Sequence, residues 1–154
     1  MKKILTALLL IISFVLVGCN SNNSINNSTS SENTIISDVE DKTLKLYIDD
    51  IEINVTWENN ASVNALKELE TITVNMHQYG GFEQVGSIGK TITSNDKQIT
   101  TNPGDIVLYS SNQIVIFFGS NTWSYTRLGK IINMNEEQLR ELLSKGNVTI
   151  TISI

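Results

Sequence analysis

Residues 101–132 constrain the fold more than any other stretch, because they predict three β-strands in series. The strands cover residues 106–109, 114–118 and 124–132. An Asn-Pro-Gly-Asp turn at 102–105 leads into the first strand, and a Ser-Ser-Asn-Gln turn joins the first strand to the second. Half of the ten aromatic residues lie in this stretch. It therefore predicts the central part of a mainly β domain.

Further short strands are predicted on both sides of this stretch. Apolar and polar residues alternate around Asp49-Asp50, a pattern that predicts a β-hairpin with one buried face. Its apolar residues are Leu44, Leu46, Ile48, Ile51, Ile53 and Val55. Strands are also predicted at 71–76 and 148–154, while 82–88 is either a strand or an irregular segment.

Two short helices are predicted, one early and one late. Residues 60–69 have apolar side chains at helical spacing, with Asn59 or Asn60 as the cap. The second helix begins after Asn135, has Gln138 at the capping-box position and ends at Gly146. Many short strands with only two helices favour a small closed or nearly closed β-barrel with helices at its ends.

Residues 1–18 predict a signal peptide rather than part of the fold. Lys2 and Lys3 precede an apolar run over 4–17 that is too short for a membrane-spanning helix. The run ends in Leu16-Val17-Gly18-Cys19, which resembles the lipobox of bacterial lipoproteins. The resemblance implies transfer of a diacylglyceryl group to the Cys19 sulfur, cleavage before Cys19 and often acylation of the new amino group, with chains such as palmitate. It also implies a location on the extracytoplasmic side of a membrane in the cell envelope. The alternatives are a plain secreted protein or a single-span anchor.

Residues 19–42 would then hold the lipidated Cys19 and a flexible tether, followed by one domain at 43–154. The tether is rich in serine and asparagine and has too little apolar surface to offset the entropy of ordering. Cys19 is the only cysteine, so an intrachain disulfide cannot form. Without Lys2 and Lys3 the chain has 9 basic and 16 acidic residues, which argues against nucleic acid as a partner. A monomer is expected.

Several segments of the domain together resemble the bacterial cyclophilin-like proteins. They are WENNASVNAL at 57–66, MHQYGGFEQVGSIG at 76–89, NPGDIVLY at 102–109, QIVIFF at 113–118 and SYTRLGKI at 124–131. The resemblance implies a small β-barrel capped by helices, like that of the prolyl isomerases. It implies no defined activity, since the segment after the first helix lacks the arginine that the isomerases carry there. The two arginines, Arg127 and Arg140, both come late.

Five residues are candidates for a ligand-binding groove. Strand alternation places Tyr125 and Arg127 on one face, away from Leu128, where a guanidinium beside an aromatic ring suits an amide or carboxylate ligand. Tyr79, Phe82 and Glu83 flank Gly80-Gly81 and form a plausible pocket wall. The simpler interpretation is that Arg127 makes a structural ion pair, with Glu83 or Asp105, and that the aromatic residues only cover the end of the barrel.

These residues predict a binding module without a catalytic set, a cofactor or a metal. The only histidine, His77, is expected on the surface, and one histidine with a lipidated cysteine does not make a zinc site. The expected partners are the lipid bilayer and a peptide or small-molecule ligand. The alternative is a prolyl isomerase with a rearranged site, in which Arg127 polarises the prolyl amide. A third possibility is an envelope interaction protein without a pocket.

Overall fold

The computed structural model describes residues 43–154, the segment predicted to form the domain. The predicted signal peptide at 1–18 and the predicted tether at 19–42, including Cys19, lie outside the described residues and stay predictions. None of the helices within 43–154 is long and apolar enough to cross a membrane.

Eleven strands and two helices make up the described part of the chain, and most of the elements are short. In chain order they are β1 (Lys45–Ile48), β2 (Ile51–Ile53), β3 (Val55–Trp57), α1 (Ala61–Lys67), β4 (Thr71–Asn75), β5 (His77–Tyr79), β6 (Glu83–Ser87), β7 (Lys97–Thr100), β8 (Asp105–Tyr109), β9 (Gln113–Phe117), β10 (Thr122–Ile131), α2 (Glu136–Leu143) and β11 (Thr149–Ser153).

The smaller sheet has four antiparallel strands in the order β2-β1-β11-β4. Asp49 and Asp50 have φ values of 46° and 68°, the left-handed conformation that a two-residue hairpin turn needs. The predicted hairpin is therefore confirmed. The prediction that the hairpin has a single buried face is only partly correct, because Ile51 is 52% exposed and Val55 begins β3 in the other sheet.

The larger sheet has the order β3-β10-β8-β9-β6-β5, and β7 also pairs with β10. Strand β10 is the longest, with ten residues, and it pairs with β3, β7 and β8 along its length. The three strands predicted within 101–132 correspond to β8, β9 and β10, which confirms that this stretch lies at the centre of the fold.

The predicted closed or nearly closed barrel is wrong, because the described strands form two separate sheets. Buried side chains from both sheets share one core, so the two sheets pack against each other. Gly86 of β6 allows this close approach. A Cβ atom there would lie 2.5 Å from both Met76 Sδ and Val74 Cγ1. Side-chain packing across the interior thus replaces the hydrogen bonds that would close a barrel.

Both helices cover this core and begin at the predicted caps. The Asn60 side chain accepts a hydrogen bond from Val63 N at 3.0 Å, and Asn135 and Gln138 form a reciprocal capping box. Val63 and Leu66 of α1 and Leu139 and Leu143 of α2 are buried in the core.

The outer face of the larger sheet, opposite the core, carries a second apolar cluster. Ile106 and Leu108 of β8 belong to the core, whereas Val107 between them belongs to the second cluster. The buried members of this cluster are Val85, Val107, Val115, Phe117 and Tyr125. The central strands are therefore buried on both faces, and the outer face provides the floor of the site described next.

Candidate ligand-binding site

A cavity of about 410 Å³ lies over the outer face of the larger sheet. Ten residues from five strands and one loop line it: His77, Tyr79, Glu83, Val85, Tyr109, Gln113, Val115, Asn121, Trp123 and Tyr125. Its volume lies in the range of small-molecule sites, and such sites also combine apolar walls with a few polar groups.

A tight turn between β5 and β6 positions Glu83 in this cavity. Gly80 and Gly81 have φ values of 60° and 75°, which glycine adopts without steric cost. The Phe82 carbonyl oxygen then accepts hydrogen bonds from the backbone N–H groups of Phe118 and Gly119, both at 2.9 Å. These contacts hold the turn on the sheet, so that Glu83 pairs with Tyr79 on one side and Phe117 on the other.

Glu83 is the charged group of the cavity, and it is almost entirely buried. The residue is 6% exposed, and its Oε2 atom has no hydrogen-bond partner in the part of the chain that the structure describes. Removal from water disfavours the carboxylate form, so burial raises the pKa of Glu83 from 4.5 to about 7. A buried acceptor without a partner is costly in a folded protein, and a raised pKa in a concave site is typical of functional residues.

A chain of aromatic rings supports the cavity floor. The rings of Phe82 and Phe117 are stacked with centroids 6.4 Å apart. The Tyr125 ring meets Phe117 edge-on at 5.6 Å and Tyr109 edge-on at 5.8 Å. Each geometry is favourable for aromatic pairs. Phe82 thus supports the floor from below, whereas Tyr109 and Tyr125 line the cavity itself.

The Tyr125 hydroxyl is fixed at the edge of the cavity. Asn121 Nδ2 donates a hydrogen bond to it at 3.0 Å. Asn121 is held in turn by Thr101, which is fully buried and bonds to its backbone N–H and carbonyl groups. Burial, followed by the nearby charge of Glu83, raises the pKa of Tyr125, so its hydroxyl stays protonated at neutral pH.

Arg127 lies outside the cavity and is engaged in an ion pair. Its Nη1 atom donates to Asp105 Oδ2 at 3.0 Å, and its Nη2 atom donates to the Thr100 carbonyl at 3.3 Å. Lys130 Nζ binds the other carboxylate oxygen of Asp105 at 2.8 Å. Although burial opposes ionisation, hydrogen bonds from Lys130, the Asn102 backbone and Arg127 hold the pKa of Asp105 below its usual value. The geometry therefore matches the simpler interpretation of the sequence, in which Arg127 makes a structural ion pair with Asp105.

The structure brings three of the five candidate residues together in the cavity, namely Tyr79, Glu83 and Tyr125. Phe82 does not line the cavity but stacks on Phe117, and Arg127 lies with Tyr125 in a separate groove of about 370 Å³. His77, expected on the surface, is exposed but also lines the cavity. Its strand β5 was not predicted.

Sequence reasoning missed most of the apolar floor. The continuous apolar runs of β8 and β9, however, indicate strands that are buried on both faces, and this signal is visible in the sequence. Within residues 43–154, no three His, Cys, Asp or Glu side chains lie close enough to hold a metal ion.

Comparison with known proteins identifies the family. The model of the cyclophilin-like family matches residues 46–153, so the chain belongs to that family. No match is found among curated proteins.

Two solved structures share the fold. One is the solution structure of the hypothetical protein AF2241 from Archaeoglobus fulgidus, with a TM-score of 0.52 and 17% identity, over 71% of this chain and 92% of that one. The other is McbB in complex with tryptophan, with a TM-score of 0.51 and 9% identity, over 72% of this chain and 44% of that one. At such identities the likeness concerns the fold alone.

Proposed function

We propose that the cyclophilin-like domain is a small-molecule binding module and that the cavity around Glu83 is its binding site. The observation that carries the proposal is Glu83, which lines the cavity and whose buried Oε2 atom has no hydrogen-bond partner among the described residues. A ligand that donates a hydrogen bond to this atom would give it a partner, and this bond would contribute favourably to the free energy of binding. The aromatic and valine side chains around it supply apolar contact area.

The geometry favours a small molecule over the alternatives drawn from the sequence. A volume of about 410 Å³ suits a small molecule or one side chain of a peptide. A rearranged prolyl isomerase would need the Arg127 guanidinium to reach the substrate amide, but the guanidinium is bound to Asp105 and Thr100. We therefore do not propose isomerase activity.

The proposal can be tested by using NMR to screen a library of small molecules against the full chain in detergent. The library should include tryptophan, because the McbB structure contains it. Trp123→Ala and Tyr79→Ala change cavity residues that are 57% and 63% exposed, so folding should be preserved. We expect each variant to weaken the best compound about tenfold, because aromatic contact residues often contribute more than about 1 kcal/mol.

Arg127→Ala is the matched control, because Arg127 also lies in β10 but outside the cavity lining. It should leave the affinity unchanged and lower the free energy of unfolding by about 1 kcal/mol, through loss of a partly exposed ion pair. If Arg127→Ala abolished binding while the two aromatic variants did not, the cavity would be the wrong site.

We also propose that the protein is a lipoprotein, anchored in the envelope through acylated Cys19 on the extracytoplasmic side of a bacterial membrane. The support is the sequence of the first 19 residues, in which a charged start, an apolar run and a Gly-Cys pair coincide. Two or more acyl chains give stable anchoring. The binding domain would then be displayed at the membrane by residues 20–42.

Replacing Cys19 with serine removes the acceptor sulfur, so the chain should neither incorporate labelled palmitate nor carry a lipid anchor. In metabolic labelling, we expect palmitate in the wild type and in Ser21→Ala, two residues on, and none in the serine variant. Retention of labelled lipid in the serine variant would contradict the proposed anchor.

A further inference from the structure

We infer that the cavity selects organic cations, in which a protonated amine or quaternary ammonium group is attached to a compact apolar body. The ammonium group would lie beside the carboxylate of Glu83, and the aromatic rings around it would contact the rest of the ligand. This inference rests on the proposed small-molecule site and names the class of its ligand.

The arrangement of polar groups favours a positive charge. Glu83 is more than nine-tenths buried, and no donor within residues 43–154 bonds to its Oε2 atom. None of the ten lining residues is lysine or arginine. The charged ends of Arg127 and Lys130 are bound to Asp105, and neither residue lines the cavity. An anionic ligand would therefore meet a carboxylate and no lysine or arginine, since the one basic side chain in the lining is the imidazole of His77.

The rings around Glu83 provide a second attraction for a cation. Tyr79, Tyr109, Trp123 and Tyr125 all line the cavity, and they come from β5, β8 and β10. The face of an aromatic ring is electronegative, so several rings around one space attract ammonium groups strongly when water is excluded. An acid within a group of aromatic residues thus combines a charge partner with an apolar wall.

The surroundings of Glu83 determine how binding should depend on pH. The other titratable groups that line the cavity are His77 and Tyr79 from β5, Tyr109 from β8 and Tyr125 from β10. With its pKa raised to about 7, Glu83 is largely neutral at pH 6 and largely ionised at pH 8. A cation that binds the ionised form should therefore bind more tightly as the pH rises through this range.

Isothermal titration calorimetry on the full chain in non-ionic detergent tests the inference with two matched pairs of probes. The cations are 2-phenylethylamine and choline, and their neutral counterparts are 2-phenylethanol and 3,3-dimethylbutanol. We expect at least one cation to bind about tenfold more tightly than its neutral counterpart at about pH 8. Its affinity should fall about tenfold at about pH 6, where less than about a tenth of Glu83 is ionised.

Two variants test the contributions of the Glu83 charge and of the Trp123 ring to cation binding. Glu83→Gln keeps the side-chain volume and should reduce cation affinity about tenfold at pH 8, a larger loss than for the neutral probes. Trp123→Leu keeps an apolar side chain at an exposed position and should weaken the cations more than the neutral probes.

The outcomes also separate this inference from the proposed function. Equal affinity for cations and neutral probes, or unchanged cation affinity in Glu83→Gln, overturns the cation assignment. If neutral compounds bind in the cavity while both cations fail, the small-molecule site stands and the inference falls. If neither these probes nor any compound of the NMR screen binds, the proposed function falls as well.

Discussion

Replacing Glu83 with glutamine will stabilise the folded chain at about pH 8 by up to about 3 kcal/mol and will change its stability little at about pH 4. The cause is the burial of Glu83, which raises the pKa of the carboxyl group from 4.5 to about 7. Ionising this group inside the cavity is costly, and glutamine cannot ionise.

The sign of the pH dependence follows from which state binds the proton. Between about pH 4.5 and pH 7 the unfolded chain has lost the proton of Glu83, whereas the folded chain still holds it. The free energy of unfolding therefore decreases as the pH rises through this window and is constant above it with respect to this group. Below about pH 4.5 both states are protonated and Glu83 contributes no slope.

Urea unfolding of the wild type and the variant, measured at several values between about pH 4 and pH 8, gives the difference directly. Glu52→Gln is the control, because Glu52 is an exposed carboxylate of β2, in the other sheet. Because Glu52 is exposed, its replacement removes no buried charge, and this variant should be no more stable than the wild type at about pH 8. A constant difference for Glu83→Gln would mean that water reaches Glu83 in the folded chain and that the carboxyl group titrates normally.

The positions of most strands were predictable because their local signals are strong, whereas the short strands β5 and β7 were not predicted. The Asn-Pro-Gly-Asp turn and the apolar runs that follow it determine β8 and β9, and the caps Asn60 and Asn135 determine where the helices begin. These signals depend on residues that are close in the sequence, so a single sequence contains them.

The arrangement of the sheets was not predictable in the same way. Whether strands close into a barrel or form two packed sheets depends on pairing between distant segments, such as β1 with β11. Gly86 illustrates this difficulty. It allows the side chains of Val74 and Met76 to pack closely against β6, but the residues next to it in the sequence give no sign of that role. Long-range contacts of this kind leave no periodic pattern in one sequence.

The candidate site was only partly predicted, again because it depends on contacts between distant segments. Alternation along β10 correctly separated Tyr125 from Leu128, but the face that carries Tyr125 was expected to meet a groove or solvent. It is covered by a second cluster that includes Val107 and Phe117. Burial of that face is what isolates Glu83 from water, and it requires β6, β8, β9 and β10 to be adjacent.

Phe117 and Phe118 offer a test of this two-sided burial, since both are fully buried but point to opposite faces of the sheet. Replacing either one with alanine should lower the free energy of unfolding by about 3–5 kcal/mol, because each change leaves a cavity in a packed cluster. Urea unfolding at constant pH measures both losses, and they should be similar in size.

Only the Phe117 side of the sheet should affect ligand binding. The milder variants Phe117→Leu and Phe118→Leu keep much of the side-chain volume, so both should remain folded. Phe117→Leu removes the stacking with Phe82 and the edge contact with Tyr125, and it should weaken the best compound of the NMR screen about threefold to tenfold. Phe118→Leu alters the core between the sheets and should leave that affinity unchanged. Equal weakening by both variants would show that the cavity responds to global stability rather than to its own floor.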